Sequence, residues 1–169
     1  MRLRAEHEVG WGETADYARV QIIADLIEEG GKDPYIREFA VKIVRSCPPK
    51  DYHCEVEKIF NWVKRNVRYV KDVYFADSYH TARRILSLKS ADCDDFTILL
   101  GALLTSIGYP VLIRIVRAKG KKTFHHIYPL VGIPPDRPSW YPLDATFPHS
   151  YVGWEPVYVE KKDFKIIFE

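Results

Sequence analysis

Long apolar runs are missing from these 169 residues. No window approaches the roughly 20 apolar residues that a membrane span needs. The amino terminus, Met1 to Glu8, is charged and lacks the apolar core of a signal peptide. The chain is therefore expected to be cytoplasmic, with no membrane partner. An excess of charge is missing too: 25 Lys and Arg stand against 23 Asp and Glu, a net +2, and the signs are well mixed. That balance disfavours nucleic acid and other polyanions as partners. Cysteine is scarce, and 3 residues cannot all pair, so a disulfide-stapled secreted domain is not indicated and a reducing compartment is expected. Internal repeats, Gly/Ser linkers and low-complexity tracts are also absent, which leaves one folded unit over residues 1–169.

What is present is a core-forming composition, 47% hydrophobic and 14% aromatic. From Thr14 to Glu29 the residues Ala15, Ala18, Ile22 and Leu26 share one helical face, and Gly30-Gly31 supplies a stop. Asp33-Pro34 has the signature of an N-cap followed by a first-turn proline. Behind it Ile36, Phe39, Ala40, Ile43 and Val44 repeat at helical spacing until Cys47-Pro48-Pro49. Val56, Ile59, Phe60, Val63 and Val67 mark a third helix, with Trp62 as a wedge against a neighbour. Arg68 to Tyr79 reads as an irregular connection, and Thr81 caps a short helix through Leu86.

The chain then delivers Asp92-Cys93-Asp94-Asp95-Phe96. From Cys93 the apolar positions Phe96, Leu99, Leu100, Leu103, Leu104 and Ile107 fall on a helical stripe that faces the interior. Asp92 is the expected N-cap, with Asp95 three residues on. A thiol on the first turn of a helix lies at the positive end of the dipole, which favours thiolate. Asp94 and Asp95 oppose that, so a histidine is required nearby. Taken alone, a cysteine at the edge of an apolar face reads more often as core than as catalyst.

After Gly108-Tyr109-Pro110 the period changes from helical to alternating. Val111 to Val116 forms one strand, and a basic turn at residues 118–122 leads to another from Phe124 to Leu130 with His126 and His125 on opposite faces. A third strand, Trp140 to Leu143, ends at Asp144, and two more are expected around 157–159 and 164–168. Helices come first and strands second, an α+β domain with N-terminal helices packed on a C-terminal antiparallel sheet.

Cysteine, histidine and aspartate thus occur in the order that thiol catalysis uses, with the imidazole taking the thiol proton and the carboxylate orienting the ring. Asp92-Cys93-Asp94-Asp95-Phe96 with Leu99 to Leu104 and Ile107 to Pro110 resembles the cysteine motif of the transglutaminase-like superfamily. His126-Ile127-Tyr128 is similar to that family's histidine motif, and Trp140-Tyr141-Pro142-Leu143-Asp144-Ala145-Thr146 to its aspartate motif. Ile59 to Tyr69 fits the helix before the catalytic segment. The resemblance spans residues 53–147, a catalytic core, and leaves residues 1–50 as an N-terminal helical extension. Ser90-Ala91 stands where the family usually has glycine before the Asp-Cys pair.

The resemblance implies a papain-like fold in which Cys93 is nucleophile, His126 general base and then acid, and Asp144 the orienting carboxylate. It also implies a thioester formed by attack on an amide or acyl carbon of a protein or peptide substrate. Hydrolysis by a peptidase or amidase is favoured over amine cross-linking. The backbone N–H of Cys93 is the expected oxyanion donor, with Tyr74 or Tyr79 as side-chain candidates and Asp72, Tyr74, Asp77 and Tyr79 near the site mouth. No cofactor is expected, and calcium has no loop signature here. The compactness of the domain fits action on a partner within a larger assembly.

Two rival readings remain. A non-catalytic interaction module keeps the same fold, and His125 is the alternative base. A zinc site would draw on Cys47, His53, Cys54 and either Cys93 or His125, although Cys47 and Cys54 lie further apart than familiar zinc pairs. Those two cysteines fit equally a small disulfide or two buried thiols.

Overall fold

Side-chain caps set the helix starts in the computed structural model, which describes residues 2–5, 14–71 and 79–168. Asp33, Asp51, Thr81 and Asp92 each accept a hydrogen bond from a backbone N–H two or three residues on. The elements run β1 (Arg2–Ala5), α1 (Thr14–Gly31), α2 (Pro34–Val44), α3 (Tyr52–Asn66), β2 (Arg68–Tyr69), α4 (Ala82–Leu88), β3 (Ser90–Ala91), α5 (Cys93–Ser106), β4 (Val111–Arg117), β5 (His126–Ile133), β6 (Ser139–Pro142) and β7 (Glu160–Ile167). The fold is α+β. Its antiparallel sheet has the order β1-β7-β4-β5-β6, and a separate parallel pair joins β2 to β3.

Helix α5 is the centre of the molecule. It is buried nearly all round rather than along the single stripe that its spacing implied, because α1, α2, α3 and α4 pack on it from one side and β4 and β5 from the other. Small residues let α1 approach closely: a Cβ on Gly30 would lie 2.6 Å from the Ala102 Cβ, and one on Gly101 2.7 Å from Ile27 Cδ1. This crossing also decides which face of α1 is buried. Val20, Ile23, Ala24 and Ile27 are in the core, whereas Ala15, Ala18 and Ile22 are exposed, so the expected face is corrected by a partial turn. Gly30 and Gly31 belong to α1 rather than ending it, since they lie where that contact needs no side chain. Trp62 meets the Phe39 ring edge-on at 4.8 Å, as a wedge should.

The strands depart from simple alternation. Val111 to Val116 are all buried, Arg114 included. The Arg114 guanidinium holds Asp163 of β7 through two bonds of 2.7 and 2.8 Å and Glu155 through one of 2.9 Å, which is how a charge is accommodated on that face. β5 begins at His126 rather than Phe124, and residues 157–159 form no regular strand, Val157 being fully open to solvent. β1 completes the sheet against β7 and had no sequence signal, since its residues read as a polar start. Arg68 and Tyr69 are not irregular: they pair in register with Ser90 and Ala91, with Val70 N–H bonded to Ala91 C=O at 2.9 Å. That bridge fixes the approach to Cys93.

Cys47 and Cys54 form a disulfide that ties the end of α2 to the start of α3. A disulfide persists in oxidising surroundings, which runs against the expected reducing compartment. It also removes two ligands from the zinc reading, and no cluster of three or more metal-ligating side chains occurs among the described residues. No helix among them is long and apolar enough to cross a membrane.

Candidate active site

Asp92 accepts the Asp95 N–H at 2.9 Å and so starts α5 at Cys93. The Asp95 carboxylate does not return to the cap but turns to His80 Nδ1, 3.3 Å away. Burial, then Asp92, raises the Asp95 carboxyl to about 6 against the pull of His80. Thr97 donates its hydroxyl to the Cys93 carbonyl at 2.8 Å, which braces the first turn.

The Cys93 thiol lies between α5 and β5. Its S–H donates to Asp94 Oδ1 at 4.0 Å, and the backbone N–H of Ile127, the residue after His126, favours its ionised form. Burial above all, then the Asp94 and Asp92 carboxylates, pushes the thiol up to about 12, while Arg19 and the Ile127 N–H act the other way. The helix dipole therefore does not produce a resting thiolate. The sequence warned of this through Asp94 and Asp95; the structure bears out Asp94 and puts Asp92 in the place of Asp95.

His126 opens β5 opposite Val116. Its Nε2–H donates to Asp144 Oδ2 at 2.7 Å, which leaves Nδ1 as the other ring nitrogen. Asp144 follows β6 and has no exposed surface. Its second oxygen accepts from the Thr146 N–H at 3.1 Å and the Thr146 hydroxyl at 2.7 Å. Asp144 thus caps a turn and holds a histidine at once. His125 is exposed, has its ring centre 6.4 Å from that of His126, and is held down by partial burial, His126 and Lys121. The buried carboxylate engages His126 instead.

Three neighbours had no sequence signal. Arg19 of α1 binds Asp94, with Nη2 at 2.5 Å and Nε at 3.1 Å from Oδ1, across 75 residues of chain. Tyr69, placed by the β2–β3 bridge and stacked on Phe96, has its phenol raised by burial and by the charges of Cys93, Asp92 and Asp144. Lys64 donates to the Pro148 and Ser150 carbonyls at 3.0 and 2.5 Å and so secures the segment after Asp144. Such contacts follow from helix crossings and are not written in local spacing. Tyr79 is partly buried against the core. Asp72, Tyr74 and Asp77 lie outside the described residues.

A central helix carrying a cysteine onto an antiparallel sheet, beside a strand histidine paired with a buried carboxylate, is the architecture of papain-like thiol enzymes. The family model for the transglutaminase-like superfamily matches residues 37–145, and the chain belongs to that superfamily. The fold is shared with a proposed cysteine protease from Cytophaga hutchinsonii, at TM-score 0.52 and 18% identity over 80% of this chain and 43% of that one. It is shared also with a proposed protease from Parabacteroides distasonis, at TM-score 0.52 and 10% identity over 80% of this chain and 31% of that one. This chain therefore spans less than half the length of either neighbour. Among curated proteins none matches the sequence.

Proposed function

We propose that the protein is a thiol hydrolase or acyltransferase acting on amide bonds of a protein or peptide substrate, with Cys93, His126 and Asp144 as its triad. The observation that carries this reading is the His126–Asp144 hydrogen bond, at the start of the strand that packs on α5, the helix that carries Cys93. Because the thiol is protonated at rest, its proton moves to His126 Nδ1 as sulfur attacks the carbonyl carbon. Asp144 steadies the resulting imidazolium. The Cys93 N–H at the start of α5 is positioned to donate to the oxyanion. His126 then returns the proton to the departing amine, which leaves a thioester on Cys93. Water, activated by His126, hydrolyses it to the acid and restores the thiol. Water is the favoured acceptor over an amine, in keeping with the proteases among similar folds.

The rival reading, a non-catalytic interaction module, draws on the raised thiol of Cys93. Mass spectrometry of Cys93 after incubation with a lysate of the source organism separates the two. The enzyme reading expects an acyl adduct on Cys93 that hydroxylamine removes and that His126→Ala does not form. A Cys93 that gains no adduct, with no peptide product released, would favour the interaction module.

A further inference from the structure

We propose that Arg19 is a positioning residue for the nucleophile: by pairing with Asp94 it cancels the carboxylate beside the thiol and so permits Cys93 to ionise. This rests on the triad reading above. The Asp94 carboxylate lies 4.0 Å from the sulfur and is itself buried. Two anions at that separation in a partly desolvated site repel strongly, so a thiolate there needs a cation on Asp94. The Arg19 guanidinium meets both Asp94 oxygens through Nε, at 3.1 and 3.2 Å, and Oδ1 again through Nη2. Its charge favours ionisation of the thiol, as the electrostatics of Cys93 also indicate.

Among the described residues, the charged and titratable groups that act on Cys93 are Asp94 and Asp92 from its own helix and cap, Arg19 from α1 with Tyr79 beside it, and Tyr69 from β2; the triad reading adds His126, held by Asp144, from the sheet. Among the cations in that set, His126 is the acceptor of the thiol proton, which leaves Arg19 as the permanent positive charge. Arg19 lies before residue 37, where the family match begins, so α1 brings to the site a charge that the matched segment does not contain. A purely structural role, pinning α1 to α5, is the competing explanation, and pH dependence distinguishes the two.

The test is the second-order rate of Cys93 alkylation by iodoacetamide from pH 6 to 10, read by intact mass on the full chain with its disulfide intact. Arg19→Gln should slow the reaction about tenfold or more at pH 8 and move the profile up by about one unit. Arg19→Lys, which keeps the charge, should stay within about threefold of the parent. Asp94→Asn should move the profile down by about one unit. Equal slowing in Arg19→Gln and Arg19→Lys, or an unchanged profile in Arg19→Gln, overturns the proposal. Should Arg19→Gln not fold, Asp94→Asn decides alone: a downward shift supports the proposal and no shift overturns it. His126→Ala is run alongside. If it leaves the parent rate unchanged the triad reading fails, whereas a loss in His126→Ala with none in Arg19→Gln removes only the role of Arg19.

Discussion

Asp144→Ala removes the carboxylate that orients His126 while leaving Cys93 and its helix untouched. The bond lost is 2.7 Å long, joins a carboxylate to an imidazole, and lies at a residue with no exposed surface. Charge-assisted hydrogen bonds of this kind contribute about 1.5–3 kcal/mol. If the imidazolium forms during acylation, the same energy appears in the barrier, a loss of roughly 10- to 150-fold in rate. The full burial of Asp144 places the expectation in the upper half of that range. Thr146→Val removes the hydroxyl but keeps the Thr146 N–H on Asp144. It should therefore cost about 1 kcal/mol, or roughly fivefold. The assay is the acylation burst with p-nitrophenyl acetate, in which the Cys93 sulfur takes the acetyl group and p-nitrophenolate is released. A folded Asp144→Ala protein that acylates within about twofold of the parent would refute the reasoning.

Three further outcomes follow from the fold. Arg114→Ala strands the buried Asp163 without its main partner and should lower unfolding stability by about 3–5 kcal/mol, with much of it regained in Arg114→Met/Asp163→Leu, as measured by urea denaturation. Replacing both Cys47 and Cys54 by serine opens the short loop between α2 and α3 and should cost about 2.5 kcal/mol in the same measurement, an effect that reductant reproduces in the parent but not in the variant. Asp95 has its carboxyl raised to about 6 by burial and Asp92, above its unfolded value, so the folded state holds the extra proton between about pH 4 and 6. Its contribution is fully present below about pH 4 and is lost as pH rises through 6. The stability of the parent relative to Asp95→Asn should therefore fall by on the order of 1–2 kcal/mol from pH 4 to 7, after allowance for solvent screening and the His80 partner.

Much of the architecture was legible in local chemistry. Caps at Asp33, Thr81 and Asp92 and the periodicities behind them are short-range signals, and they place α2, α4 and α5 correctly. The face of α1 was not legible, because it is chosen by the Gly30–Ala102 and Gly101–Ile27 contacts, which depend on a partner 70 residues away or more. Arg114 read as one residue of an alternating strand, since its acceptors Glu155 and Asp163 come from distant segments. Likewise β2 looked irregular until paired with β3. At the site, Cys93, His126 and Asp144 stood out through residue type, order and motif. Arg19, Tyr69 and Lys64 did not, being ordinary surface-type residues in their own helices and strand. The state of the thiol was legible in part: Asp94 already spoke against a thiolate on the first turn, but the burial that outweighs the dipole most was not visible locally.

The central claim is that His126 takes the proton from Cys93, and it is tested most directly by the pH dependence of Cys93 alkylation in the parent and in His126→Ala. The account predicts a parent thiol that already reacts at pH 7, and a loss of about 100-fold or more at that pH in His126→Ala. A parent thiol that reacts only as it titrates at high pH, at the same rate with or without His126, would contradict it.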